Sequence, residues 1–368
     1  MLKLGALGDS LTDEYSEETY SYAKNWTMQI VQSRSVDMGP TAALGGAAGG
    51  SWGEPRRTGY KYNWARYGAD STTMLSDGQH TGLAAQAAPG AGGVTHAVIA
   101  IGANDFSPST TAFFNIYWGL WSQSQIDSYV SAQVADVRTA VQTLQGAGIR
   151  VVLGNYLDFS IAPVTRQFYT NATRRNRLTA VIAQVNAELE ATAAEYRVVR
   201  LDLSAMSTTI FGTNAALRQY LKIGNVDIQL FNRDTAGHTV PLAGFVDDGA
   251  HPHTAVQGVF ANAVMAALNT GWNAGYAMFS DQEILSHAGL TYGGTDTLGP
   301  QFGDYTQFVR DYRCRADFNE SGGVTIDDLF LYFNAWFTGD PSADMDGRGG
   351  VGIDDLFLFL DRWFTGCD

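Results

Sequence analysis

Short apolar runs alternate along this chain with longer stretches whose apolar residues recur at helical spacing. Leu2, Leu4 and Ala6 lie in a run over residues 2–8 that is too short for anything but a strand. Similar runs at 94–101, 151–156 and 197–203 predict three more strands. Between them the spacing predicts helices over 15–33 (Tyr22, Trp26, Ile30 and Val31 in phase), 124–146, 171–195 and 254–269. Strands alternating with helices imply βαβ units, hence an α/β fold with a parallel sheet covered on both faces. Residues 40–62, rich in Gly, Pro and Arg, read as an irregular surface insertion. Residues 226–231 read as an edge strand or a loop excursion. Residues 270–313 carry aromatics and glycines with little periodicity. The expected organisation is a large α/β domain over 1–275, a wrapping extension and linker over 276–313, and a small module over 314–368.

The chain has 368 residues, 45% of them apolar, which is enough for a full core. No apolar stretch reaches the ~20 residues that a membrane helix needs. A net charge of −14 argues against nucleic acid as a partner. The charge is uneven: from Cys314 onward there are eleven acidic residues against three arginines. Such an acidic end reads as a solvated tail or a cation site. The only cysteines, Cys314 and Cys367, bracket it. Two thiols at the edges of a small module read as a disulfide and so as an oxidising compartment. A secreted or cell-surface protein is therefore expected, its leader already removed.

The first strand runs into Gly8-Asp9-Ser10-Leu11. A serine there stands at the carboxyl edge of the sheet, where open α/β folds bind ligands. A serine hydroxyl needs a base, and that base needs an orienting acid. His251 and Asp248, three residues apart in Asp248-Gly249-Ala250-His251-Pro252, fit those roles on one turn. The neighbouring Asp247 and His253 are mis-spaced for them. A tetrahedral intermediate also needs donors for its oxyanion, each worth on the order of 3 kcal/mol. The Ser10 N–H, the Gly68 N–H and the Asn104 side-chain amide are the candidates. Asp105 is expected to brace its loop.

These blocks, Gly8 to Thr12, Asn63 to Ser71 around Gly68, Gly102-Ala103-Asn104-Asp105 and Asp248 to Pro252, resemble those of the SGNH (GDSL) esterases and lipases. The resemblance covers roughly residues 2–270. It implies a flavodoxin-like three-layer α/β/α fold and ester hydrolysis through an acyl-enzyme, with Ser10, His251 and Asp248 as the triad and Ser10, Gly68 and Asn104 as the oxyanion hole. The aromatic run 113–121 follows the Asn104 loop. Its Tyr117, Trp118 and Trp121 read either as a platform for sugar rings or an acyl chain, or as core aromatics.

A segment beginning at Asp317 recurs 27 residues later at Asp344, and each copy ends in Trp-Phe-Thr-Gly. A repeat this sharp is a duplicated unit. Its oxygens fall at calcium-loop spacing: Asp317, Asn319, Ser321, the Gly323 carbonyl and Asp328 in the first copy. Asp344, Asp346, the Gly350 carbonyl and Asp355 form the second set, where Arg348 replaces a ligand oxygen. The first loop is therefore expected to bind more tightly. The pair resembles a dockerin, which implies structural Ca2+, no cofactor for catalysis, and a cohesin-like scaffold as partner. The expected activity is hydrolysis of carboxylic esters, with an acetylated polysaccharide as substrate. The alternatives are a lipase or thioesterase with the same triad, or a non-catalytic carbohydrate-binding protein on a hydrolase scaffold.

Overall fold

The computed structural model describes residues 2–42, 52, 58–319, 323–346 and 350–366. Much of the glycine-rich insertion, together with Ser321, Arg348 and Cys367, lies outside the described residues. A five-stranded sheet runs in the order β1 (Leu4–Gly8), β2 (His96–Ala100), β3 (Arg150–Gly154), β4 (Val199–Leu201), β5 (Val309–Asp311). The first four strands are parallel; β5 is antiparallel to β4. The helices that frame the site and the repeats are, in chain order, α1 (Trp26–Arg34), α2 (Ser71–Ser76), α3 (Thr111–Trp118), α4 (Gln123–Gly146), α5 (Ala172–Glu195), α6 (Thr254–Trp272), α7 (Ile326–Thr338) and α8 (Ile353–Thr365).

Alternation along the strands builds two apolar layers. Val98 and Val152 pack with α1 and α6, whereas Ala97, Ile99, Val151 and Leu153 pack with α3, α4 and α5. Both faces of the sheet are thus covered, and the strands read as near-continuous apolar runs.

Two expectations are corrected. The helix expected over 15–33 is a short 3₁₀ turn, Tyr15–Glu17, and α1 starts only at Trp26. Asn25 sets that start: its side chain accepts the Met28 N–H at 3.2 Å and donates to the carbonyls of Thr12 and Asp13 at 3.1 and 2.8 Å. The segment between is held out of the helix and turned toward the end of β1. The stretch 270–313 is not merely a wrap. It forms a helix at Asp281–His287 and ends in β5, an edge of the main sheet. Residues 226–231 lie in a strand, Val226–Asp234, at the centre of a separate three-stranded sheet. Ala243–Val246, parallel to it, leads into the His251 turn.

In the repeats, α7 and α8 meet through Tyr332 and Phe359, both fully buried, their rings stacked at 3.8 Å. These residues are 27 apart, so the duplication places equivalent side chains face to face. The Trp336 indole donates to Gly352 O at 2.7 Å and the Trp363 indole to Thr325 O at 2.9 Å, a reciprocal pair related by the same offset.

Candidate active site

Ser10 follows β1 directly, in a turn closed by Thr12 N–H and Asp13 N–H onto Asp9 O at 3.0 and 2.9 Å. Asp9 is buried beneath it and accepts the Leu11 N–H at 2.9 Å. Burial pushes the Asp9 carboxyl up to about 6 against those hydrogen bonds. The Ser10 hydroxyl lies 2.6 Å from His251 Nε2. On the other side of the ring, His251 Nδ1 is in short contact with Asp248 Oδ2. The second Asp248 oxygen accepts the N–H groups of Ala250 and His251 at 2.7 and 3.1 Å. Burial alone would raise the Asp248 carboxyl. The hydrogen bonds from His251 and Ala250 outweigh it and hold the group below its ordinary value. An ionised carboxylate on Nδ1 fixes the tautomer that leaves the Nε2 lone pair for the serine.

The turn works because Gly249 takes φ +70° and Phe245 bridges back to Pro252, so Asp248 folds onto its own histidine. Asp247 and His253 are elsewhere: the Asp247 N–H donates to Tyr22 Oη at 3.1 Å, and His253 pairs with buried Asp234 at 3.3 Å while capping α6.

Gly68 and Asn104 are brought together. The Asn104 amide donates to Ala69 O at 2.9 Å, next to Gly68. Gly68 is exposed, has φ +77°, and nothing lies within 4 Å of where a side chain would project. Among the described residues, neither the Ser10 N–H nor the Gly68 N–H has a protein acceptor. Gly102, at φ +114° against the Tyr156 ring, turns the chain from β2 toward Asn104. Asp13 ties the serine turn to the Gly68 loop: it pairs with Arg66 at 2.9 Å and accepts the Tyr67 N–H at 3.0 Å.

Of the expected aromatic platform, Tyr117 takes the core alternative. Tyr117 is buried and packs on Phe113, Trp118 and Tyr169. Trp118 lies under the Arg174 guanidinium, 3.9 Å from its ring centre, and Trp121 packs on Tyr129. Tyr117 and Trp121 thus pack on the α3–α5 side of the core, whereas Trp118 is exposed at the surface. The aromatics at His251 are others: Tyr20 is stacked on the imidazole at 4.6 Å, Tyr15 is edge-on at 5.8 Å, and exposed Tyr67 is parallel at 6.2 Å. Tyr67 sits inside the Gly68 block and was open to notice. Tyr15 and Tyr20 were hidden by the helical reading of their segment.

A serine nucleophile with an oriented histidine base is arranged for acyl transfer. Residues 4–264 match the family model described as GDSL-like Lipase/Acylhydrolase. The chain belongs to the GDSL-like lipase/acylhydrolase family. It is a carboxylic ester hydrolase. Among solved structures, this GDSL hydrolase is similar to a GDSL-like lipase from Bacteroides thetaiotaomicron, at 14% identity over 73% of this chain and 88% of that one, TM-score 0.40. It is also similar to an acetylxylan esterase from Geobacillus stearothermophilus, at 14% identity over 73% of this chain and 94% of that one, TM-score 0.38. No curated protein matches it. Within the described residues, no helix of this hydrolase is long and apolar enough to cross a membrane.

Proposed function

We propose that this hydrolase cleaves esters through an acyl-enzyme on Ser10. The continuous Asp248–His251–Ser10 chain carries the reading. Ser10 Oγ attacks the ester carbonyl as its proton passes to His251 Nε2. The C–O bond to the alcohol breaks as that proton moves to the leaving oxygen. Water then takes the alcohol's place and the same steps run in reverse. Asp248 keeps the imidazole oriented and stabilises its charged form. The Ser10 N–H, Gly68 N–H and Asn104 amide receive the oxyanion. The substrate class we assign is an acetylated polysaccharide. Its support is the company the enzyme keeps: a duplicated segment that resembles a scaffold-docking dockerin and shows exposed apolar side chains at equivalent positions, Phe330 and Phe357, Phe337 and Phe364. A cohesin-like scaffold is the partner this implies, and an extracellular location follows from it.

The repeats fit calcium in part. Carboxylate oxygens of Asp344, Asp346 and Asp355 lie within 4.8 Å of one another. Three converging hard oxygens suit Ca2+, whose role would be to brace the loop before α8. This convergence is in the second loop, the one expected to bind less well; Arg348, the reason for that expectation, is outside the described residues. In the first loop, Asp328 accepts the N–H groups of Asn319 and Thr325 at 2.9 and 2.7 Å, which organises the loop around position twelve. A Cys314–Cys367 disulfide belongs to the same proposal: Cys314 is buried, and no described cysteine is a free thiol.

The test is hydrolysis of a short chromogenic ester and of an acetylated polysaccharide by the wild type and Ser10→Ala. Acetate release by the wild type alone is expected. Equal rates in both proteins would remove the acyl-enzyme; cleavage of the chromogenic ester without acetate release would remove the polysaccharide.

A further inference from the structure

Tyr20 lies in the non-helical segment before α1 and is 3% exposed, comparable with Ser10 and His251 at 6% each. Its ring covers one face of the imidazole at 4.6 Å and 25°. Tyr15 wedges both rings edge-on, at 4.8 Å from Tyr20 and 5.8 Å from His251. Tyr15 is itself fixed, since its hydroxyl donates to Pro252 O at 3.2 Å and accepts from Gln257 at 2.7 Å. Tyr20 is therefore held in register with His251 by packing alone, and its hydroxyl is unconstrained by other bonds. Among the described residues, that hydroxyl has one hydrogen-bonding neighbour, His251 Nε2, at 3.2 Å.

The same nitrogen faces Ser10 Oγ at 2.6 Å. A neutral imidazole offers one lone pair there, and the nearer serine takes it. In the free enzyme the phenol is left as a distant second donor, a poor return for a buried hydroxyl. The arrangement makes sense in the reaction. After Ser10 attacks, Nε2 carries the proton and must deliver it to the leaving oxygen. That oxygen has to stand about 3 Å from Nε2. An oxygen placed so, on the Tyr20 side of the ring, is within reach of a hydroxyl 3.2 Å from the same nitrogen.

We propose that the Tyr20 hydroxyl donates a hydrogen bond to the oxygen opposite His251 Nε2: the departing alcohol oxygen in acylation, the attacking water in deacylation. The inference rests on the Ser10–His251 reading above. The phenol proton is not transferred. It lends its hydrogen while Nε2 gives up the proton to the alcohol as the C–O bond breaks, or takes it from water as the new C–O bond forms. Tyr20 remains a neutral donor throughout, because burial pushes its ionisation far above the ordinary phenol range.

The experiment compares the wild type, Tyr20→Phe and Ser10→Ala on two acetate esters, one with a nitrophenyl and one with a simple alkyl leaving group. Rates are normalised to active sites titrated with a phosphonate, so that misfolded protein does not count. Nitrophenolate departs without help; an alkoxide does not. Tyr20→Phe keeps the stacked ring, so kcat/KM for the alkyl ester should fall about tenfold, the worth of one hydrogen bond, with little change for the nitrophenyl ester. An equal fall on both esters reduces Tyr20 to a packing role and overturns the proposal, as does no fall on either. Activity retained by Ser10→Ala instead condemns the acyl-enzyme reading itself, a separate result.

Discussion

The carboxylate of Asp105 receives both the N–H and the hydroxyl of Ser71, at 3.0 and 2.7 Å. Ser71 is the first residue of α2, directly behind the Gly68 loop; Asp105 directly follows Asn104. One buried side chain thus clamps the two loops that carry the proposed oxyanion donors Gly68 and Asn104. Replacing Asp105 with Ala should let them drift apart. A displacement near 1 Å costs about a hundredfold in rate. We expect kcat to fall by about that much with KM little changed. Steady-state kinetics on a short ester checks this; an unaltered kcat in a folded variant would deny the clamp.

Asn104→Ala removes one oxyanion donor while leaving Ser10, His251 and Asp248 in place. The expected loss is about 10²–10³ in kcat. Asp248→Asn should cost more, on the order of 10⁴, because an amide favours the wrong tautomer of His251. If Asn104→Ala lost only binding, seen as a raised KM at constant kcat, the side chain would be a substrate contact instead.

Glu14 is buried next to Asp13 and Glu17. One oxygen accepts the Tyr60 N–H at 2.9 Å; the other has no hydrogen-bond partner among the described residues. Burial first, then the neighbouring Asp13, pushes its carboxyl up to about 8 from 4.5. The folded state therefore keeps a proton that the unfolded chain has released. Stability from this group is complete below pH 4.5 and is lost as pH rises toward about 8. Glu14→Gln stays neutral. Its melting temperature should gain on that of the wild type, by about a few degrees, between pH 5 and 8. Thermal scans across that range decide it, and a constant difference would mean that Glu14 is ionised in the fold.

The converging Asp344, Asp346 and Asp355 give a calcium prediction that is separable from catalysis. Calcium should raise the melting temperature of the C-terminal helices and slow their proteolysis, and chelator should reverse both. Asp344→Ala should weaken the response, and Asp317→Ala with Asp344→Ala should abolish it. Ester hydrolysis should not change in any of these conditions. Melting that ignores calcium and chelator alike would leave the duplicated segment held without a metal.

How legible was this in the sequence? The Asp248–His251 turn is local, and Ser10 ends a strand whose apolar run is unambiguous, so the catalytic chain could be read from spacing. The parallel core was legible because βαβ periodicity is strong over long helices such as α4 and α5. Tyr20 was not. Tyr22, Trp26, Ile30 and Val31 sit at helical spacing, which extends the expected helix back over Tyr20, and only the Asn25 cap, an available but single-residue signal, marks where the helix begins. Tyr117 misled for the opposite reason: a run of large aromatics after the Asn104 loop says nothing about which way the following helix turns, and α5 took it into the core. β5 was invisible because three residues, Val309 to Asp311, have no measurable period and depend on β4 for their conformation.

That last strand has a bearing on where the chain can be shortened. β4 is only three residues long, and its outer hydrogen-bonding groups are satisfied by Val309 to Asp311 and by Asp202 N–H to Phe308 O at 2.7 Å. A version trimmed at residue 275 would keep every reacting group yet bare an open row of amides and carbonyls, an invitation to intermolecular pairing. The natural stopping place for a minimal soluble esterase is therefore beyond Asp311, roughly where Cys314 begins the acidic end.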